Sequence, residues 1–244
     1  MNKLSVDIGN SSAKVAVFNN REIIYYERFG QLDVHQLTEI IETYNPQKSV
    51  VSTVSQQINH LEVILKNQTE YIRFSTALTT NVSNRYNTPE TLGLDRWAAI
   101  LGANVLAGEN AILVIDAGTC ITYDLLTSTK EYFGGSISPG ILMRFRAVHE
   151  FTGRLPLVEW DREAEIPEGR DTATAIKQGV LQGIINEIEG FIAKNNRKER
   201  RLKVIITGGD ANFLHKQLQN SIFAPQIVND PYLVLKGLNE AIAD

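Results

Sequence analysis

Runs of apolar residues and helical apolar stripes alternate along the first hundred residues. Leu4 to Ile8 and Val15 to Phe18 are two short apolar runs joined by a polar stretch, which predicts a strand, a tight turn and a second strand. Glu22 to Arg28 reads as a third strand. Apolar residues at 34, 37, 40, 41 and 44 form a helical stripe that ends at Pro46. Ser49 to Val54 is a β-branched run typical of a buried strand, Ile58, Leu61, Ile64 and Leu65 mark a helix, and Tyr71 to Phe74 a further strand. Three strands followed by alternating helix and strand predict a mixed sheet with helices on its faces.

Residues 76–93 are polar and rich in turn formers, and a connection of that length without elements of its own is usually functional or mobile. It leads into Gly93-Leu94-Asp95-Arg96-Trp97 and a helical stripe through Ala98, Leu101 and Val105 to Gly108. A domain boundary is expected there, giving domains 1–109 and 110–244. The second half opens on the apolar run ending Val114-Ile115-Asp116-Ala117-Gly118-Thr119, followed by a strand from Ile121 to Leu126 and another from Tyr132. Pro139 suits the first turn of a helix running to about His149. Residues 152–170 read as loop, and a long helix runs from Asp171 or Thr172 to about Lys194. Lys203 to Thr207 is a strand ending in Gly208-Gly209-Asp210, Phe223 to Val228 a brief strand, and Pro231 to Ile242 the closing helix.

The first turn carries chemistry. Asp7 falls near a strand end and Lys14 near the start of the next, with Ile8, Gly9, Asn10, Ser11, Ser12 and Ala13 between them. Gly9 permits a backbone that a side chain would forbid. The turn's N–H groups and short polar side chains can face an anion. Asp7 can hold the hydrated Mg²⁺ that accompanies a phosphate, and Lys14 offers a point charge to phosphoryl oxygens. Asp116 to Thr119 repeats the device half a chain later, which suggests two related halves gripping a nucleotide from both sides. Thr207-Gly208-Gly209-Asp210 allows a ligand close to the backbone and could hold the adenosine end. Asp95 and Arg96 open a helix after a long polar loop. An ordinary helix start would have the aspartate favoured by the dipole and the arginine on the exposed face. In the functional reading Arg96 forks onto a substrate carboxylate and Asp95 receives a hydroxyl proton.

Composition narrows the field. The chain has 244 residues, 43% apolar and 21% charged, in the range of soluble globular proteins. Its net charge of −4 offers no broad basic field, so nucleic acid is not expected as a partner. Cys120 is the single cysteine, which excludes a disulfide framework within one chain. The four histidines show no metal-ligand spacing. No apolar run approaches a membrane span, and residues 1–18 lack the pattern of a signal peptide, so a cytoplasmic protein without membrane contact is expected.

Taken together, the turn around Asp7 and Gly9, Gly93-Leu94-Asp95-Arg96, Asp116-Ala117-Gly118-Thr119, and Gly134-Gly135 to Pro139-Gly140 resemble the type III pantothenate kinases, in order and spacing along nearly the whole chain. The first turn has Asn10-Ser11 where the family usually has Asn-Thr, which keeps the hydroxyl. The resemblance implies an α/β protein of the acetate-kinase, sugar-kinase, Hsp70 and actin superfold: two ribonuclease-H-like halves around a central cleft, assembled as a homodimer. It implies ATP-dependent phosphorylation of pantothenate to 4'-phosphopantothenate, the first step of coenzyme A biosynthesis. Asp7 to Lys14 and Thr119 would bind ATP with Mg²⁺. Asp95 would accept the proton, and Tyr86 with Gly93, Leu94, Asp95 and Arg96 would bind pantothenate. Asp116 would hold a monovalent cation, K⁺ or NH₄⁺. Thr172 would reach pantothenate from the neighbouring subunit, giving a shared active site.

Two other readings compete. A nucleotide-gated regulator on the same scaffold would bind without transfer, although Asp95 and Arg96 have no role in it. A sugar kinase would have no carboxylate for Arg96 to clamp.

Overall fold

The computed structural model describes residues 1–9, 12–53, 58–199 and 201–242. The contacts divide the chain into two units, Met1–Gly108 with Tyr232–Asp244, and Glu109–Pro231.

The first unit begins with β1 (Asn2–Ile8), β2 (Ala13–Asn19) and β3 (Glu22–Phe29), an antiparallel meander. Helix α1 (Val34–Tyr44) follows. Asp33 and Gln36 form a reciprocal capping box at its start, and Asn45 ends it in a left-handed conformation with φ 45°. Next come β4 (Lys48–Thr53), α2 (Asn59–Gln68), β5 (Glu70–Arg73), the two-residue β6 (Ser83–Asn84) and α3 (Leu94–Ala107). β4 and β5 join in parallel, so the described sheet of this unit runs β3-β2-β1-β4-β5. Its core packs Leu4, Val6, Val15 and Val17 against Leu37, Ile41, Leu61 and Leu65. The predicted alternation is thus present, with Val54 of the expected strand lying outside the described residues.

The second unit repeats this plan. β7 (Ala111–Ala117), β8 (Cys120–Leu126) and β9 (Glu131–Pro139) form the meander, followed by α4 (Ile141–Glu150) and α5 (Thr172–Asn196). β10 (Leu202–Thr207) lies parallel beside β7, α6 (Ala211–Gln217) follows, and β11 (Ile227–Asn229) lies parallel beside β10. These strands therefore run β9-β8-β7-β10-β11, the same order as in the first unit. Leu113 and Ile115 pack against Ile184, Ile188 and Ile192 of α5 in its core.

Four expectations need correction. Pro139 does not open a helix. It ends β9 opposite Cys120, and Gly140 is the residue from which α4 starts. Pro231 lies before the first turn of α7 (Leu233–Ala241), whose N-cap is Tyr232. The expected strand from Phe223 is three residues long, because Ala224–Gln226 form a 3₁₀ turn.

The fourth concerns the expected division into 1–109 and 110–244, which puts the closing helix in the second half. Its contacts place it in the first unit. There α7 meets α3 at glycines: a Cβ at Gly102 would lie 2.2 Å from Leu233 O, and one at Gly237 1.7 Å from Ala98 O. Only residues without side chains permit that backbone approach.

Candidate active site

In the first unit the β1–β2 turn is closed by Gly9 N–H donating to Ser12 O at 3.1 Å. Asp7 and Lys14 are directly opposite in the strand register. Asp7 is half-buried, and burial raises its carboxyl pKa. The Lys14 charge pulls it down, the Asp95 charge pushes it up, and a hydrogen bond from Ser52 pulls it down again, with a net rise. Asp7, Lys14, Ser52 and Asp95 therefore form one electrostatic cluster. Gly9 does not have the role expected of it: its φ is not in the left-handed region, and a Cβ there would meet Ser12 O at an ordinary 3.6 Å. Asn10 and Ser11 lie outside the described residues. Ser12 accepts a hydrogen bond from Arg28 Nε at 3.1 Å, while Ala13 is buried beneath the turn.

Gly93 is the N-cap of α3, and Leu94 its first residue. Asp95 is exposed and accepts the Arg96 N–H at 2.8 Å. A side chain at Gly93 would put its Cβ 2.6 Å from the Asp95 carboxylate. Arg96 is only 6% exposed, the opposite of an arginine on an outer helix face. Its guanidinium lies 5.7 Å from the centre of the half-buried Tyr86 ring, within cation–π range.

In the second unit Asp116 is half-buried, and the exposed Thr119 caps the β7–β8 turn. Gly208, at φ 96°, packs against this turn: a Cβ there would sit 2.4 Å from both Asp116 Oδ1 and Ala117 O. The structure thus brings Gly208, just after β10, to the second aspartate. Asp210 donates its N–H to Ala117 O at 3.0 Å. Arg162 binds the Asp210 carboxylate through Nε at 2.9 Å and Nη2 at 2.8 Å. Burial raises the Asp210 pKa, only partly offset by Arg162. Asp171 is the N-cap of α5, with its carboxyl held below the usual range by Thr174, so Thr172 is left exposed at the first helical position.

The sequence pattern of the family described as type III pantothenate kinase matches residues 3–194. The chain belongs to that family. A type III pantothenate kinase from Bacteroides fragilis is 42% identical over 247 residues, covering 98% of this chain and 96% of its own. One from Christiangramia forsetii is 40% identical over 239 residues, covering 97% and 96%. Among solved structures, a protein assigned as a Baf family transcriptional activator from Campylobacter jejuni is 26% identical with a TM-score of 0.61, covering 98% and 96%. A protein assigned as a sugar kinase from Cytophaga hutchinsonii is 13% identical with a TM-score of 0.53, covering both chains fully. The latter likeness shows the fold alone, an α/β superfold shared with sugar kinases.

In this member of the type III pantothenate kinase family, Ser52, Arg28 and Arg162 join the candidate residues although nothing in their sequence context marks them. Ser52 lies in a run that reads as plain buried strand, and only the pairing of β4 with β1 puts it beside Asp7. Arg162 comes from a loop whose partner, Asp210, is 48 residues away.

Proposed function

We propose that this chain transfers the γ-phosphoryl group of ATP to the primary hydroxyl of pantothenate in the cytoplasm. The observation that carries the reading is the start of α3, where the exposed Asp95 carboxylate is held by the Arg96 backbone N–H while the buried Arg96 guanidinium lies over the Tyr86 ring. Pantothenate is a small hydroxy acid. The Arg96 fork binds its carboxylate, with Tyr86 and Gly93 to Arg96 shaping the subsite. Asp95 accepts the hydroxyl proton as that oxygen bonds to the γ-phosphorus and the bond to the bridging oxygen of ADP breaks. Lys14 and the residues from Asp7 to Ala13 hold the phosphates, and Thr119 adds a contact.

Magnesium takes one or two carboxylates and completes its shell with water and phosphate oxygens. Among the described residues no group of three or more His, Cys, Asp and Glu forms a protein-only metal site. Asp7 and Asp95, close enough for one charge to act on the other, fit an ion that arrives with the nucleotide. When bound, it neutralises phosphate charge. The Asp116 carboxylate and the Ala117 carbonyl flank the bare face of Gly208, an oxygen donor set that suits K⁺ or NH₄⁺.

A homodimer completes the reading, with Thr172 reaching the neighbouring subunit's pantothenate. Two surface features support it. On α5 a Cβ at Gly179 or Gly183 would meet nothing within 4 Å, and Phe133, Ile137, Leu142 and Met143 are exposed on β9 and α4.

The likeness to the Campylobacter jejuni protein favours a second reading, a nucleotide-gated regulator without transfer. The net charge of −4 speaks against direct DNA contact. One assay separates the two: ADP release with pantothenate, with common sugars and with buffer alone. Release that depends on pantothenate supports the kinase, and equal release in all arms removes it.

A further inference from the structure

The turn that carries Thr119 rests on the start of α4. Gly140 donates its N–H to Thr119 O at 3.1 Å. A Cβ at position 140 would lie 2.2 Å from Gly118 O and 2.4 Å from Thr119 O, so the two backbones are in direct contact. Residues 138–140 are in turn held by one side chain. Arg144 donates Nε to Pro139 O at 2.8 Å and Nη2 to Ser138 Oγ at 2.7 Å.

The same Nη2 reaches Glu187 Oε2 at 2.7 Å, near the middle of α5. The other Glu187 oxygen accepts the Tyr123 hydroxyl at 2.8 Å. Tyr123 sits three residues after Cys120 in β8, and its ring stacks on Phe191 of α5 at 3.9 Å. Burial works against the Glu187 charge, but Arg144, Tyr123 and Ser138 outweigh it and hold the carboxyl below its ordinary pKa. The side chains of Arg144 and Glu187 are 20% and 26% exposed, so water competes only partly for these bonds. One guanidinium thus serves three acceptors on two elements: Ser138 Oγ and Pro139 O at the end of β9, and Glu187 of α5.

We propose that Arg144 and Glu187 are positioning residues for the Gly118–Thr119 turn, Glu187 aiming Arg144 and Arg144 seating residues 138–140 beneath the backbone that meets phosphate. The inference rests on the reading of Thr119 as an ATP contact. Glu187 also ties this turn to the helix whose first residue is Thr172, so the nucleotide turn and the start of α5 share one fixed frame.

The test is Arg144→Lys, with Glu187→Gln as a second variant. Lysine keeps the charge but cannot serve the three acceptors with a planar fork. The expected result is a rise of about fivefold or more in KM for ATP, the worth of a hydrogen bond or more, with KM for pantothenate changed less than about twofold. Amide hydrogen exchange over residues 116–122 should become faster, with residues 34–44 of α1, in the other unit, unchanged as an internal control. Glu187→Gln should show the same pattern more weakly. A lowered Tm with unchanged KM for ATP and unchanged exchange at 116–122 would mean a merely structural ion pair and overturn the proposal. Should the wild-type protein release no ADP with pantothenate, the kinase reading fails separately. The exchange measurement then decides the positioning role by itself, faster exchange supporting it and unchanged exchange ending it.

Discussion

Asp7 and Ser52 face each other on adjacent parallel strands, and the Ser52 hydroxyl donates to the Asp7 carboxylate. The second unit repeats the register, with Asp116 of β7 opposite Thr207 of β10. In each unit an aspartate near the end of the first strand stands beside a hydroxyl-bearing residue of the parallel strand that follows the meander.

Asp7 is held against its own preference for water, and this gives a stability signature. Its pKa is raised in the folded protein. Between the unfolded value, 3.8, and the raised one, the folded state binds more protons than the unfolded state. Stability from this group is therefore fully present below the unfolded pKa and lost as pH rises through the folded pKa. Asp7→Asn should raise the Tm at pH 7 while turnover falls by about a hundredfold or more. Thermal melts across pH check this: the advantage of the variant should shrink towards pH 4, and parallel curves would contradict it.

Asp95→Asn keeps an oxygen for the Arg96 N–H and removes the proton acceptor. Turnover should fall by roughly a hundredfold or more, with ATP binding little changed. The side chain is exposed at a helix start, so stability should change by no more than about 1 kcal/mol. Near-wild-type turnover in the purified variant would take Asp95 out of the chemistry.

Arg96→Ala and Thr172→Ala should each be nearly inactive. If Thr172 serves the neighbouring subunit, hybrid dimers contain one site with both defects and one with neither. Mixtures allowed to exchange subunits should regain part of the wild-type rate, and mixtures kept from exchanging should not. Folded hybrids with no regained activity would place Thr172 in its own chain's site or outside the reaction.

The cation reading of Asp116 predicts low activity in Na⁺-only buffer and recovery with K⁺ or NH₄⁺ at matched ionic strength. Gly208→Ala should remove that response and lower stability by about 1–3 kcal/mol or more. It forces a side chain into φ 96° and against the Asp116 carboxylate. Equal rates in Na⁺ and K⁺ would end the cation role.

The strands, the two aspartate turns and the start of α3 were legible because local signals define them: apolar runs broken by Gly, Asn and Ser, and a polar loop ahead of a helical stripe. What escaped depends on pairing across the chain. Ser52 is silent in its own strand and gains its role only from the register with Asp7. By local preference Pro139 predicts a helix start, yet it needs no N–H at a strand end, and Gly140 takes the contact with Thr119 that no side chain could make. The α7 stripe announces a helix, but an apolar face does not name its partner. The glycines at 102 and 237, facing each other across α3 and α7, do so only once both helices are in place.

The return of α7 to the first unit also bears on synthesis. Residues 109–231 are contiguous, so the second unit can close as it leaves the ribosome, whereas the first unit waits for a helix translated after the whole of the second. Chains normally acquire structure from the N-terminus onward. Here the flank of α3, with Asp95 and Arg96 at its head, stays uncovered until residues 233–241 emerge. The nascent chain therefore carries α3 without its packing partner while the whole second unit is made, and the domain begun first is finished after its neighbour.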